Sequence, residues 1–322
     1  GKISLGTDLG DDNSITDKLV IAKDSIGTTS VTVRPEGTSA GAQTVEGIKI
    51  IDIENGTSGA TFTLASAVQA GAYEYTLFKN GVSTTPTDGD WYLRSTLIPT
   101  PTEPTTPIYR PGTSNYVSAQ TANAEQGFLS LSTLHERMNE QQVVSTDKQT
   151  WARYYGNTES NNVDYIFNYN KHISSVQVEQ DLYNKTTNNE TDVHSGIMFD
   201  YSNSEVDFAD RVREDALLDN TTGTMNGTSY GIGGYYTAIN GDESYLDVVG
   251  MVSKLENKYK DSYGMKSTQD GYRLGLSVEA GKKLAELGKW KVEGQGQLAY
   301  QYTNYDNFND DISGIDAYGA ST

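Results

Sequence analysis

The 322-residue chain carries 24 Lys and Arg against 43 Asp and Glu, a net charge of −19. That balance repels phosphate backbones and leaves no case for nucleic acid as a partner. With no cysteine, it has neither a disulfide framework nor a thiolate metal site. Hydrophobic residues make up 35% and nowhere form the run of about 18 that a membrane helix needs, but barrel strands alternate and can look this hydrophilic.

Gly1 is preceded by neither an initiator Met nor a charged-then-apolar leader, so the natural N-terminus is expected upstream. Residues 1–98 are rich in Gly, Thr and Ser. Short β-branched runs at Lys18–Ile21, Val31–Val33, Ile48–Ile53 and Tyr73–Leu77 are punctuated by Gly27, Gly37, Gly47, Gly56 and Gly71. This reads as all-β, and suits the last coils of a β-solenoid as well as a sandwich. Five of the seven prolines then fall between Pro99 and Pro111, so residues 99–115 form an extended linker and a domain boundary.

From 116 to 142 proline disappears, and Phe128, Leu131, Leu134 and Met138 recur at intervals of three and four. This predicts one helix. Its other faces carry Gln120, Asn123, Glu125, Gln126, Ser130 and Glu136, which suits either an amphipathic cap on a soluble domain or a helix inside a hydrated lumen.

After Thr150 the period becomes two. From Trp290 to Tyr302, one face holds Trp, Val, Gly, Gly, Leu, Tyr and Tyr while the other holds Lys, Glu, Gln, Gln, Ala and Gln; Gly271–Lys283 behaves similarly, and further strands are predicted near 175–183, 193–202, 224–238 and 245–253. Such runs match the ~9–11 residues of a spanning barrel strand better than the ~5–6 of a soluble one. Of the 22 tyrosines, 17 lie after residue 150. Tyr154, Tyr155, Tyr183, Tyr201, Tyr235, Tyr236, Tyr245, Tyr259, Tyr302 and Tyr305 are expected at headgroup level as an aromatic girdle. The short stretch 239–244 predicts an inner turn, with 182–191 and 282–289 on the same side. The polar stretches 203–223 and 259–269 predict long outer loops.

Three segments together resemble the autotransporter family. Thr16–Ile21, Gly71–Tyr75 and Asp90–Ser95 look like the C-terminal coils of pertactin-like passengers, the autochaperone region. Tyr109-Arg110-Pro111 with Tyr116 and Thr133–Met138 looks like the linker helix, and Trp151-Ala152-Arg153-Tyr154-Tyr155-Gly156 is similar to a first barrel strand of Trp-x-Arg-x-x-Gly type. The resemblance implies an all-β chain: the end of a right-handed β-helix at 1–98, a pore-threading helix at 116–142, and the first part of a transmembrane antiparallel barrel at 148–322. It implies the outer membrane and surface of a Gram-negative bacterium, with membrane lipids, the barrel-assembly machinery and periplasmic chaperones as partners, and no cofactor. The family barrel has twelve strands and commonly ends in an aromatic residue. Here about seven strands and the start of an eighth at Ile315–Tyr318 are counted, and an open barrel would leave bare strand edges, so this stretch by itself is not expected to translocate.

Within that frame, Tyr73, Tyr75, Trp91, Tyr92 and Leu93 are expected to seal the solenoid base. Glu125, Phe128, Leu134, Glu136 and Arg137 are expected on the pore helix, with Glu125, Glu136 or Arg137 pairing with lumen charges. Trp151 is expected near a headgroup boundary and Arg153 on the lumen side, where a charge avoids lipid. Some family members cut the passenger free by cyclising a pore-helix asparagine, for which Asn123-Ala124 is the candidate. Gly37-Thr38-Ser39-Ala40-Gly41 matches a Gly-x-Ser-x-Gly pattern, but no helix follows to make an elbow, so a turn is expected. His135, His172 and His194 lack metal-ligand spacing. The acidic clusters 10–13 and 309–311 lack a calcium-loop frame, so no catalytic or metal site is expected. The leading function is non-enzymatic secretion and surface display, with 1–98 promoting passenger folding. The rivals are a surface adhesin that binds host or neighbouring cells, and a soluble secreted all-β binding protein or enzyme.

Overall fold

The computed structural model describes residues 1–54, 59–82, 86–97, 105–138, 148–163, 166–188, 190–310 and 315–317. In the first part the strands are β1 (Lys2–Thr7), β2 (Leu19–Ile21), β3 (Ile26–Pro35), β4 (Ile48–Ile53), β5 (Gly59–Leu64), β6 (Val68–Ala70), β7 (Tyr73–Lys79), β8 (Trp91–Arg94), β9 (Thr96–Leu97) and β10 (Thr106–Pro107). Two ladders of parallel pairs run through them: β1–β3–β5, and β2 on β4. Successive coils laid parallel on one another make a solenoid, which decides between the two readings of this region. Between the ladders lie Val31, Ile50, Ile51, Phe62 and Leu93, all buried. The stacking stops at β8, which pairs antiparallel with both β4 and β7. Tight turns join the coils: Gly71 has φ +59°, and a Cβ there would meet Ala40 O at 1.8 Å, so only glycine fits.

The described part of the linker, from 105 on, is built into the structure rather than left as a free extended tether. Thr106–Pro107 pairs with β9, and Pro111 opens the helix α1 (Pro111–Leu131) at its first position, where a missing N–H costs nothing. Thus α1 starts five residues before the predicted boundary. It breaks at Ser132–Thr133, where Thr133 and Glu136 form a reciprocal capping box that starts α2 (Leu134–Arg137). The predicted continuation over 139–142 lies outside the described residues.

The rest is one antiparallel sheet, each strand paired with the next: β11 (Thr150–Val163), β12 (Phe167–Thr186), β13 (Asp192–Asp210), β14 (Thr221–Ile239), β15 (Tyr245–Asp261), β16 (Lys266–Leu287) and β17 (Trp290–Tyr305). It curls around α1, which touches all seven strands. The strands run from 14 to 22 residues, well beyond what a bilayer requires. The predicted outer loops are therefore largely strand. Residues 203–210 and 221–223 extend β13 and β14, joined by the short helix α3 (Arg211–Asp215), and within 259–269 only 262–265 turn, the rest belonging to β15 and β16. The expected eighth barrel strand is also corrected. Strand β18 (Phe308–Asp310) takes β19 (Ile315–Ala317) as its partner, so β19 does not extend the sheet from β17.

Candidate functional site

Side-chain parity along the sheet separates two environments. Across β11 to β17 the hydrogen-bond register aligns Ala152, Val178, Phe199, Ile232, Val252, Leu274 and Tyr302 in one outward row. One position away, the inward row reads Arg153, Gln177, Asp200, Gly231, Ser253, Arg273 and Thr303. The convex face is apolar and the concave face polar, the reverse of a soluble sheet and the rule for a membrane barrel.

Tyrosines bound the apolar band. Tyr154, Tyr201, Tyr230 and Tyr272 lie on one outward row at the solenoid side, and Tyr183 and Tyr236 face outward near the other end. From Tyr230 to Ala238 is roughly 27 Å of strand at ~3.4 Å per residue, which strand tilt shortens towards the ~25 Å height of a lipid-facing band. Beyond the tyrosine row the outward face turns hydrophilic, as in Ser174, Asn203, Thr228, Glu256 and Asp270. Half of the girdle tyrosines expected from sequence point the other way. Tyr155, Tyr235, Tyr245, Tyr259 and Tyr305 have inward parity and bond within the lumen, as in Tyr235 to Asp181 at 2.7 Å and Tyr245 to Glu279 at 2.7 Å. Trp151 is corrected with them. It shares the parity of Arg153 and is buried against Tyr235 with ring centroids 5.6 Å apart, under the end of the helix rather than at a headgroup boundary.

The concave face holds α1 and α2 through ion pairs and hydrogen bonds. Helix α1 is mostly Ala, Ser, Asn, Gln and Gly on its buried positions, so the barrel wall approaches it closely. Lys171, fully buried, bonds Ala122 O at 3.1 Å and pairs with Glu125 and Glu159. Arg153 reaches Gln177 Oε1 at 2.7 Å and the carbonyl of Leu129 at 3.2 Å. Gln126 donates to Ser202 Oγ at 2.7 Å. At the foot of the lumen, Arg137 bridges Glu179 at 3.0 Å and Asp247 at 2.5 Å, with all three side chains almost wholly excluded from solvent. Glu279 caps α2 by accepting from Leu134 N at 2.9 Å. Leu131, Leu134 and Met138 pack with Trp151 and Tyr245, whereas Phe128 is exposed. Glu136 serves its own helix cap rather than a lumen charge. Gly156 sits where a Cβ would meet Ile173 O at 2.3 Å, a steric reason for the last residue of the Trp-x-Arg-x-x-Gly pattern.

Asn123 is buried in the middle of α1. Its main-chain carbonyl accepts from Arg273 at 2.9 Å, while its side-chain amide contacts Met225 Sδ at 3.9 Å. His194 lies 3.4 Å from Asp181 in the lumen, His135 lies 2.9 Å from Glu293, and His172 faces outward beside Thr158 and Ser174. Ser39 lies in an irregular turn, its N–H on Asp8 at 3.1 Å, with no following helix. Of the residues expected at the solenoid base, Trp91 packs edge-on against Phe62 at 5.5 Å, and Leu93 is fully buried. Tyr75 bonds Gly10 O at 2.9 Å, and its burial raises the phenol's pKa. Tyr92 is buried and bonds Asp88 at 2.5 Å. Tyr73 stacks on Tyr109 at 5.9 Å, and Tyr109 lies 6.0 Å from Phe167 of the sheet, so it belongs to the boundary between solenoid and barrel.

An antiparallel sheet with an apolar outside, a polar inside and a helix held along that inside defines part of the wall of a membrane β-barrel around a lumen helix, with β11 and β17 as the open edges among the described residues and a solenoid at its mouth. The chain belongs to the autotransporter family. Residues 150–321 match the family model for the autotransporter beta-domain and residues 1–77 that for the autochaperone domain type 1. It is 33% identical over 96% of its length to the adhesin BmaC autotransporter of Brucella suis, of which it covers 10%. It is also similar to autotransporter adhesin AIDA-I of Escherichia coli, at 36% over 63% of the chain and 15% of the relative. With the pertactin autotransporter of Bordetella bronchiseptica it shares 25% over 92% of the chain and 34% of the relative. The solved transport unit of AIDA-I superposes with a TM-score of 0.51 at 18% identity, over 66% of this chain and 68% of that one. The chain thus spans only a small part of most of these curated relatives. Membership places the sheet in the outer membrane of a Gram-negative bacterium, with the solenoid on the cell surface.

Proposed function

We propose that this chain is the secretion and surface-display end of a longer autotransporter. In this reading it carries an upstream passenger across the outer membrane, holds α1 in the barrel, and uses residues 1–97 as the seed on which the passenger folds. The observation that carries the reading is continuity: the solenoid at the mouth passes directly into a small, polar helix whose buried groups are met by inward side chains of all seven strands. The work is mechanical. Each coil that emerges gains burial on the coil before it, which an unfolded chain in transit lacks.

Protease shaving of intact cells expressing the whole gene tests this, with antibodies against residues 1–97 and 150–310. Loss of the first signal with a surviving membrane-bound band for the second is expected. Survival of both until the cells are opened, with both in the soluble fraction, would sink the proposal.

The names of the relatives support an adhesive passenger that binds host or neighbouring cells, with the binding part upstream of Gly1. Barrel-assembly machinery and periplasmic chaperones are the proposed partners on the inner side. Cleavage at Asn123-Ala124 is a narrower proposal, supported by the Arg273 guanidinium on the Asn123 carbonyl, which would stabilise charge on that oxygen if the side-chain amide attacked it. An Asn123→Ala variant whose passenger is released as before rules the cleavage out.

A further inference from the structure

The solenoid does not merely hang from the helix; it is bolted to the barrel's outer rim. On β7, Tyr75 points into the solenoid core while Glu74 and Phe78 point the other way, towards the sheet. Glu74 is 2% exposed, and Arg213 of α3 is just as deeply buried. The Arg213 guanidinium donates to Glu74 at 2.8 Å, to Tyr109 O at 3.0 Å, to Asp219 O at 2.9 Å and to Tyr263 Oη at 3.2 Å. Tyr263, in the turn between β15 and β16, donates to the other Glu74 oxygen at 2.7 Å. Burial and then Glu74 push the Tyr263 hydroxyl up to about 12, so it stays a donor at physiological pH. Around this network lies an apolar floor, Val212 of α3 and Ala216 at its C-terminal cap against Ile108, with Phe78 and Leu97 of the solenoid on top. A second arginine holds the solenoid turn that precedes β7: Arg110 donates to Gly71 O at 2.7 Å and pairs with Asp310. From below, Ser114 of α1 bonds Asp210, which also caps α3.

We propose that α3 and the Asp261–Met265 turn form a seat on the barrel rim that receives the last solenoid coil, with Arg213 as the receptor for Glu74. The inference rests on reading residues 1–97 as the folding seed. It adds that the seed is assembled on the barrel, in a fixed register, rather than free above it. A carboxylate buried without its partner is strongly unfavourable, so the coil packs here only when Glu74 meets Arg213. Arg213 is a positioning residue, lying outside the lipid band.

The test follows, in the full-length protein on cells, the rate at which the passenger becomes protease-resistant at the surface. Glu74→Gln and Arg213→Gln are each expected to slow it about tenfold, and the double variant to be no slower than the slower single. Heat-modifiable mobility of the barrel stays as in the parent. Glu74→Gln leaves the bond from Arg213 to Asp219 in place, so a failure of α3 itself cannot imitate the result. An unchanged rate in both singles, with Trp91→Ala still slowing resistance, overturns the seat and leaves the seed. No change in any of the three overturns both, and additive losses in the double variant overturn the coupling of the two residues.

Discussion

Arg137 shows how much of the lumen hangs on single charges. It pairs with both Glu179 and Asp247 in a space closed to solvent, and removing one partner of such a group costs about 3–5 kcal/mol, because it leaves buried polar groups without their counter-charge. Arg137→Ala is therefore expected to lower the temperature at which the barrel loses its heat-modifiable mobility. A triple variant that also carries Glu179→Gln and Asp247→Asn should recover much of the loss. At the solenoid base, Trp91→Ala opens a cavity beside Phe62 worth about 3–5 kcal/mol; passenger protease resistance should fall while barrel insertion holds. Residue parity is the legible part of this scale, and it outranks residue type. Trp151 and Arg153 are two apart, so an inward Arg153 puts Trp151 inward too. The pairs Tyr154-Tyr155 and Tyr235-Tyr236 must each send one ring in and one out, whatever a tyrosine count says.

At the scale of elements, the long runs of period two make the barrel strands readable, and Thr133-x-x-Glu136 is a capping-box signature by which the amino-acid order alone marks a second helix start. Boundaries are harder to read, because a polar stretch is ambiguous: Asn203–Asp210 alternates like a loop on average and like an overhanging strand in detail, with Val206 and Phe208 turned inward. The overhang separates two kinds of outward position on one strand. Ile232→Lys lies in the apolar row and should cost about 2–4 kcal/mol, seen as reduced insertion and heat stability. Thr228→Lys lies above the tyrosine row and should fall within ~0.5 kcal/mol of the parent. Equal losses at both positions would mean that the band has been drawn too low. Thr133→Ala should cost about 1 kcal/mol by removing the cap of α2, measurable as the same shift in barrel melting.

For the whole molecule, the order solenoid, helix, barrel is legible because each module has its own period and composition. How the modules meet is not. Glu74 and Arg213 are 139 positions apart, and neither sits in a pattern that announces a partner; Arg213 even falls in a stretch that reads as loop. The two-layered character of the wall, lipid-facing below and water-facing above, is likewise invisible to an average over composition.

The strand that ends the solenoid has one more consequence. Because β8 runs antiparallel between β4 and β7, the parallel stacking stops there, while β1 and β2 present free edges at the other end of their ladders. In the secretion role proposed above, each new turn of chain would settle on that outermost rung. A segment settled there would be held by hydrogen bonds and packing against sliding back, so that random motion through the pore would be rectified into outward growth. On the proposed secretion role, the asymmetry of one short strand would give export its direction.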